Sequence, residues 1–129
     1  MKGFLIAGGV MITWVGLCFA AEPLVMKPGA ALAWLVKTPT AQLLDVRSQQ
    51  EFATGHLAKA IVIPWGDEDF LARAAKELDL KRPLFVYCRS GRRSTEAAAA
   101  LAELGFTGLR QLEGGVLAWE AAGKPMVNP

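Results

Sequence analysis

The sequence predicts an α/β fold, a parallel sheet covered by helices on both faces, and three observations carry that reading. Short apolar runs of strand length alternate with segments that repeat apolar residues at three- and four-residue steps. The 129 residues leave room for one domain of ordinary size. A hydrophobic share of 53% against 20% charged residues is the composition of a globular chain, not a disordered one.

The elements follow in order. The opening "MKGFLIAGGVMITWVGLCFAAE" stands apart: Lys2 precedes a charge-free apolar run over residues 4–21 that ends in small side chains, the pattern of a secretory signal peptide cleaved after Ala20. Residues 1–20 are therefore expected to be a leader to the periplasm, and 21–129 the domain; an uncleaved membrane anchor is the alternative. A short strand is expected over 24–26, then a helix in "PGAALAWLVK", with Pro28 in its first turn and Leu32, Leu35 and Val36 on one face. "QLLDV" reads as a buried strand, after which Ser48 caps a brief helix that stops near Gly55.

"AIVIP" is a second buried strand closed by a proline. Residues 67–78 read as an amphipathic helix through Phe70, Leu71, Ala74, Ala75 and Leu78, with the acidic "GDEDF" at its dipole-positive start. "PLFVY" is a continuous run of strand formers and the best candidate for the sheet's centre. "STEAAAALAELG" follows as an alanine-rich helix, with Ser94 near its start and Gly105 as its C-cap. "LRQL" is a last strand, "EGG" a turn, and "VLAWEAAG" a final helix ended by Gly123.

Charge excludes some classes of partner. The formal net charge is only +2 at pH 7, so no broad positive field favours nucleic acid or an anionic membrane surface. The positive charge is local. In "YCRSGRRS" one cysteine, Cys88, ends an apolar run and is followed within five positions by Arg89, Arg92 and Arg93. Removal of the leader takes Cys18 with it and leaves Cys88 without an intramolecular partner, which is unusual for an exported chain unless the thiol has work to do.

The predicted order puts Cys88 between the carboxyl end of a central strand and the entrance to a helix, where open α/β sheets bind ligands. Backbone N–H groups of a tight loop entering a helix make a nest for an anion. A thiolate is such an anion, so the same geometry lowers the thiol pKa and makes Cys88 a nucleophile near neutral pH.

Taken together, "LLDVRSQQEFATGHLAKAIVIP", "CRSGRRS" and "LEGGVLAWEAAGKPMV" resemble a single-domain rhodanese, a thiosulfate sulfurtransferase, over about residues 24–127. The resemblance implies a five-stranded parallel sheet with helices on both faces and a ping-pong reaction through a persulfide on Cys88. It implies thiosulfate as donor and cyanide or a thiol as acceptor. Neither cofactor nor metal is called for, nor nucleic acid, nor stable membrane association once the leader is removed. Arg89, Ser90, Gly91, Arg92 and Arg93 would then bind the substrate, with backbone N–H groups on the persulfide and guanidinium forks on the anion's oxygens.

Loop length separates two anion chemistries of this fold. From Cys88 the pattern is C-x-x-x-x-R with Ser94 next, one residue shorter than the loop with which the phosphatase relatives hold phosphate, and so a cradle for a single sulfur atom. A thiol phosphatase is thereby the weaker alternative, as is an arsenate reductase, which needs resolving cysteines that the chain expected after removal of the leader does not carry, and a persulfide carrier that does not turn over alone stays open. Asp45 and Arg47 match positions that either support the loop from behind or form a plain strand-end ion pair, and Ser94 is expected to cap the helix and orient the loop. His56 is expected to be structural, since a thiolate activated by its loop needs no base. Trp34, Trp65 and Trp119 read as packing, with a place at the pocket rim as the alternative for Trp65, between Pro64 and Gly66. Lys59 departs from the family pattern, which has glycine there, and would bring a further positive charge near the site.

Overall fold

The computed structural model describes residues 22–128; the expected leader at 1–20 lies outside the described residues. Strand and helix alternate as β1 (Leu24–Met26), α1 (Pro28–Lys37), β2 (Gln42–Asp45), α2 (Gln49–Ala53), β3 (Ala60–Val62), α3 (Phe70–Glu77), β4 (Leu84–Tyr87), α4 (Arg92–Leu104), β5 (Leu109–Leu112) and α5 (Gly115–Ala121). The five strands form one sheet in the order β1-β5-β4-β2-β3, every pair parallel. The α/β fold with helices on both faces is the one the sequence predicts.

β4 is central because it has no polar position to expose; all four of its residues are buried. Its alternation divides the core. Leu84, Val86 and Cys88 face a layer built from Phe70, Ala74 and Leu78 of the α3 region and Ala97 and Leu101 of α4. Phe85 and Tyr87 face Ala31 of α1 and Val116 and Trp119 of α5. Residues of β2 bridge β4 and β3 in register, Leu44 opposite Val86 and Ile61.

The chain leaves β2 toward β3 on one side, and leaves β4 toward β5 on the other. Above the adjacent carboxyl ends of β2 and β4 the connections therefore part, and a crevice opens where Asp45 and Cys88 sit.

Several boundaries differ from expectation for local reasons. α3 starts at Phe70, because residues 67–69 form a turn in which the Phe70 N–H donates to the Asp67 carbonyl and the Asp67 carboxylate pairs with Arg73 at 3.6 Å. Only the Phe70, Ala74, Leu78 stripe is buried; Leu71 is exposed. Val36, expected on the covered face of α1, is 74% exposed, since the sheet meets Ala31, Leu32, Trp34 and Leu35 instead. α4 begins at Arg92 with Gly91 as its N-cap, so Ser94 lies inside the first turn, buried, and does not cap the helix. Gly105 ends α4 in the left-handed conformation, as expected. Among the described residues no helix is long and apolar enough to cross a membrane.

Candidate active site

Cys88 is the first residue after β4, its side chain wholly buried at the floor of the loop that leads into α4. The Gly91 N–H donates to its sulfur at 3.1 Å and the Ser94 N–H at 3.3 Å, with Ser94 Oγ 3.5 Å away. Burial pushes the thiol up, but the Ser94 hydroxyl and the N–H groups of Ser94, Gly91 and Ser90 outweigh it, and the net shift is down. The ring of donors thus favours the anion of a sulfur that burial alone would keep protonated.

The donors face the sulfur because the carbonyls are held elsewhere. The Val116 N–H donates to the Cys88 carbonyl at 2.9 Å and the Leu117 N–H to the Arg89 carbonyl at 3.0 Å, so the first turn of α5 spends its free donors on the loop. In a planar trans peptide the C=O and N–H point opposite ways. Fixing the Arg89 carbonyl toward α5 thus turns the Ser90 N–H toward Sγ. Gly115 makes the approach possible: at φ +59°, any Cβ there would overlap the Cys88 and Arg89 carbonyl groups. Behind the loop, Gln111 of β5 donates to Thr95 Oγ1 at 2.7 Å and to Ser94 Oγ at 3.3 Å, and Thr95 Oγ1 donates to the Gly91 carbonyl at 2.7 Å.

Asp45 and Arg47 form a buried pair at the end of β2, with Arg47 Nε 3.0 Å from each Asp45 oxygen and Nη2 at 2.7 Å. The same Nη2 donates to the Gly55 carbonyl at 2.7 Å, which anchors the far end of α2 to the sheet. Burial works against the Arg47 charge, and the Asp45 carboxylate more than restores it. Beneath the guanidinium, 5.8 Å from its carbon, lies the Tyr87 ring, whose hydroxyl accepts from the Leu57 N–H at 3.1 Å.

Of the three loop arginines, two are free. Arg89 and Arg92 are exposed and have no carboxylate partner among the described residues. Arg93 is engaged: its Nη1 donates to Glu51 Oε1 at 2.8 Å and its Nη2 to Oε2 at 3.1 Å. Glu51 is itself fixed by the capping box of α2, where Oε1 accepts from the Ser48 N–H at 2.9 Å and Ser48 Oγ from the Glu51 N–H at 3.1 Å. The Arg93 guanidinium, with help from Ser48, holds the Glu51 carboxyl at about 2, well below its ordinary range. The Arg93 charge in turn feels Cys88.

The family model for the rhodanese-like domain matches residues 29–122. The chain belongs to the rhodanese-like domain family. A sulfurtransferase of Allochromatium vinosum is 34% identical over 95 residues, 74% of this chain and 86% of that protein. The thiosulfate sulfurtransferase GlpE of Shewanella oneidensis is 33% identical over 91 residues, 70% of this chain and 87% of that one. Among solved structures, the rhodanese-like domain of the Alr3790 protein from Anabaena superposes with a TM-score of 0.73 at 29% identity, covering 84% of this chain and 81% of its own.

Within this rhodanese-like domain the residues singled out from the sequence fall in two groups. Cys88, Ser90, Gly91 and Ser94 meet at the sulfur, and Arg89, Arg92 and Arg93 stand around the same loop. His56 is structural in its contacts: its ring stacks on Phe52 at 3.8 Å, its Nδ1 lies 3.2 Å from the Phe52 carbonyl, and its backbone bridges Val127. Trp119 is core, and Trp65 packs edge-on against Phe70 while its Nε1 donates to Glu96 at 3.0 Å. Lys59 is a correction. It precedes β3, and in a parallel sheet that is the end opposite Cys88, so it adds no charge to the site.

Three contributors were not read from the sequence. Glu51 was legible as the last residue of an S-x-x-E helix start, though not as the partner of Arg93. The glycine pair at the start of α5 was read as a turn, though two glycines where a helix begins also signal close backbone approach. Gln111 gave no signal, standing beside Arg110 in a strand that is half polar.

Proposed function

We propose that the protein is a thiosulfate sulfurtransferase that carries sulfane sulfur as a persulfide on Cys88. The observation that carries the reading is the sulfur of Cys88, buried at the end of the central strand and met by inward N–H groups of a six-residue loop. In the first half-reaction the Cys88 thiolate attacks the outer sulfur of thiosulfate; a Cys88 S–S bond forms, the thiosulfate S–S bond breaks, and sulfite leaves with the electron pair. In the second, cyanide or a thiolate attacks the outer sulfur of the persulfide and returns the Cys88 thiolate, giving thiocyanate or a new persulfide. Both steps conserve charge and need no external base, which agrees with the structural contacts of His56. The loop N–H groups stabilise the thiolate and the persulfide, and Arg89 and Arg92 supply the free positive charge that draws the anionic donor.

Mass spectrometry after exposure to thiosulfate tests this: the peptide containing Cys88 should gain one sulfur atom, and Cys88→Ser should gain none and show no thiosulfate:cyanide transfer. An unmodified Cys88 would overturn the reading. The same proposal sets the enzyme in the periplasm after removal of residues 1–20, on the strength of the charge-free run that follows Lys2. N-terminal sequencing of the native protein should begin at Ala21; an intact Met1 in the cytosolic fraction would refute export.

A further inference from the structure

The Glu51 carboxylate stands at the loop in a position the proposed sulfur transfer does not require. Its contacts are those of a placed group. One oxygen is shared between the Ser48 N–H and Arg93 Nη1, the other is taken by Arg93 Nη2, and the side chain is 30% exposed. A single-point contact would let the arginine swing away; two parallel bonds fix the plane of its guanidinium. Glu51 cannot readily swing away either, because releasing Arg93 would also open the capping box that starts α2. With the carboxyl held at about 2, the pair is ionised across the whole working range of pH.

The electrostatic consequence follows from counting charges. Three arginines follow Cys88, yet one is cancelled, so the loop shows an approaching anion two free cations. A doubly negative donor is attracted to this mouth less than it would be to three cations, a singly charged one loses half as much, and a neutral sulfur carrier loses nothing. We propose that Glu51 is a specificity-determining residue, which by neutralising Arg93 limits the loop's attraction for anions to that of Arg89 and Arg92 and so sets how strongly the site prefers a charged sulfur donor or acceptor over a neutral one. The inference rests on sulfur transfer for its biological meaning, and charge selection itself can be read without any transfer.

The test compares alkylation of Cys88 in the full chain by iodoacetate, an anion, and iodoacetamide, its neutral analogue. Each forms a bond from Sγ to carbon and expels iodide, and the ratio of the two rates cancels any change in thiolate content. Glu51→Gln keeps the shape and one hydrogen bond to Arg93 while removing the negative charge. It should raise the iodoacetate-to-iodoacetamide ratio about five-fold at low salt, with the gain shrinking at high salt. Arg93→Gln should lower the ratio by a similar factor, and the double variant should return near the starting value. An unchanged or lowered ratio in folded Glu51→Gln would overturn the proposal, as would equal changes toward both reagents. Should Glu51→Gln fail to fold, Arg93→Gln decides alone, and an unchanged ratio there is fatal. If thiosulfate leaves no sulfur on Cys88 while the ratios move as stated, the proposed donor is wrong and the charge selection stands.

Discussion

The chemistry of single residues is set by what the backbone around them cannot avoid doing. Cys88 is buried, and a buried thiol ordinarily resists ionisation; the donors from Ser90, Gly91 and Ser94 reverse that sign. Because the folded thiol titrates low, its alkylation rate against pH should reach half-maximum on the acid side of an ordinary thiol, at about 8.5. Ser94→Ala removes the hydroxyl, the largest of the favourable contributions, and should move that midpoint back up; a stationary midpoint would mean that the N–H groups act alone. Lys59 shows the opposite economy. It holds φ +71°, the only described non-glycine residue with positive φ, and its Cβ gains nothing for the strain. Lys59→Gly should stabilise the fold by about 0.5 to 1 kcal/mol, seen as a rise of a few degrees in Tm, with sulfur transfer unchanged because the residue lies at the sheet's other end.

At the scale of elements, both helices that build the site begin on a left-handed glycine. Gly91 at φ +105° starts α4 and Gly114 at φ +73° starts α5, and neither uses a side-chain cap. That is why sequence reading placed the starts of both helices late. A serine at an expected N-cap is a local signal, whereas a glycine N-cap is chosen for the backbone turn and for what must pass close to it. Gly115→Ala tests the second reason. Its methyl would press on the Cys88 and Arg89 carbonyls, at a cost of about 2 to 4 kcal/mol from overpacking and strained φ together. The thermal midpoint should fall, and the Cys88 alkylation profile should shift toward that of a free thiol, because the loop can relieve the clash only by turning its peptides.

The whole molecule was legible wherever the information was contiguous. Residues 87–94 carry the nucleophile, the left-handed glycine and the helix entrance in one stretch, and β1 and β4 appear as short runs of apolar residues alone. The residues that read poorly act across the fold. Glu51 and Arg93 are 42 positions apart, Gln111 and Ser94 are 17 apart, and no pattern in either neighbourhood announces the pairing. The Asp45–Arg47 pair lies between these cases: its ionic character was readable in "DVR", but its complete burial and its grip on Gly55 depend on packing that brings α2 over the sheet.

The bonds from Val116 and Leu117 to the loop carbonyls also impose an order in time. A chain made from its N-terminus exposes Cys88 well before the residues that will orient the peptides around it exist. Until they do, the thiol is an ordinary one, slow to react with whatever oxidant or disulfide it meets. Reactivity thus arrives last, together with completion of the core around Trp119. A chain stopped after Glu113 holds the whole loop sequence, and its cysteine should be alkylated at pH 7 no faster than that of a short peptide. Enhanced reactivity in that fragment would show that the loop arms itself. The final helix is, in this sense, a safety catch released only by finishing the protein.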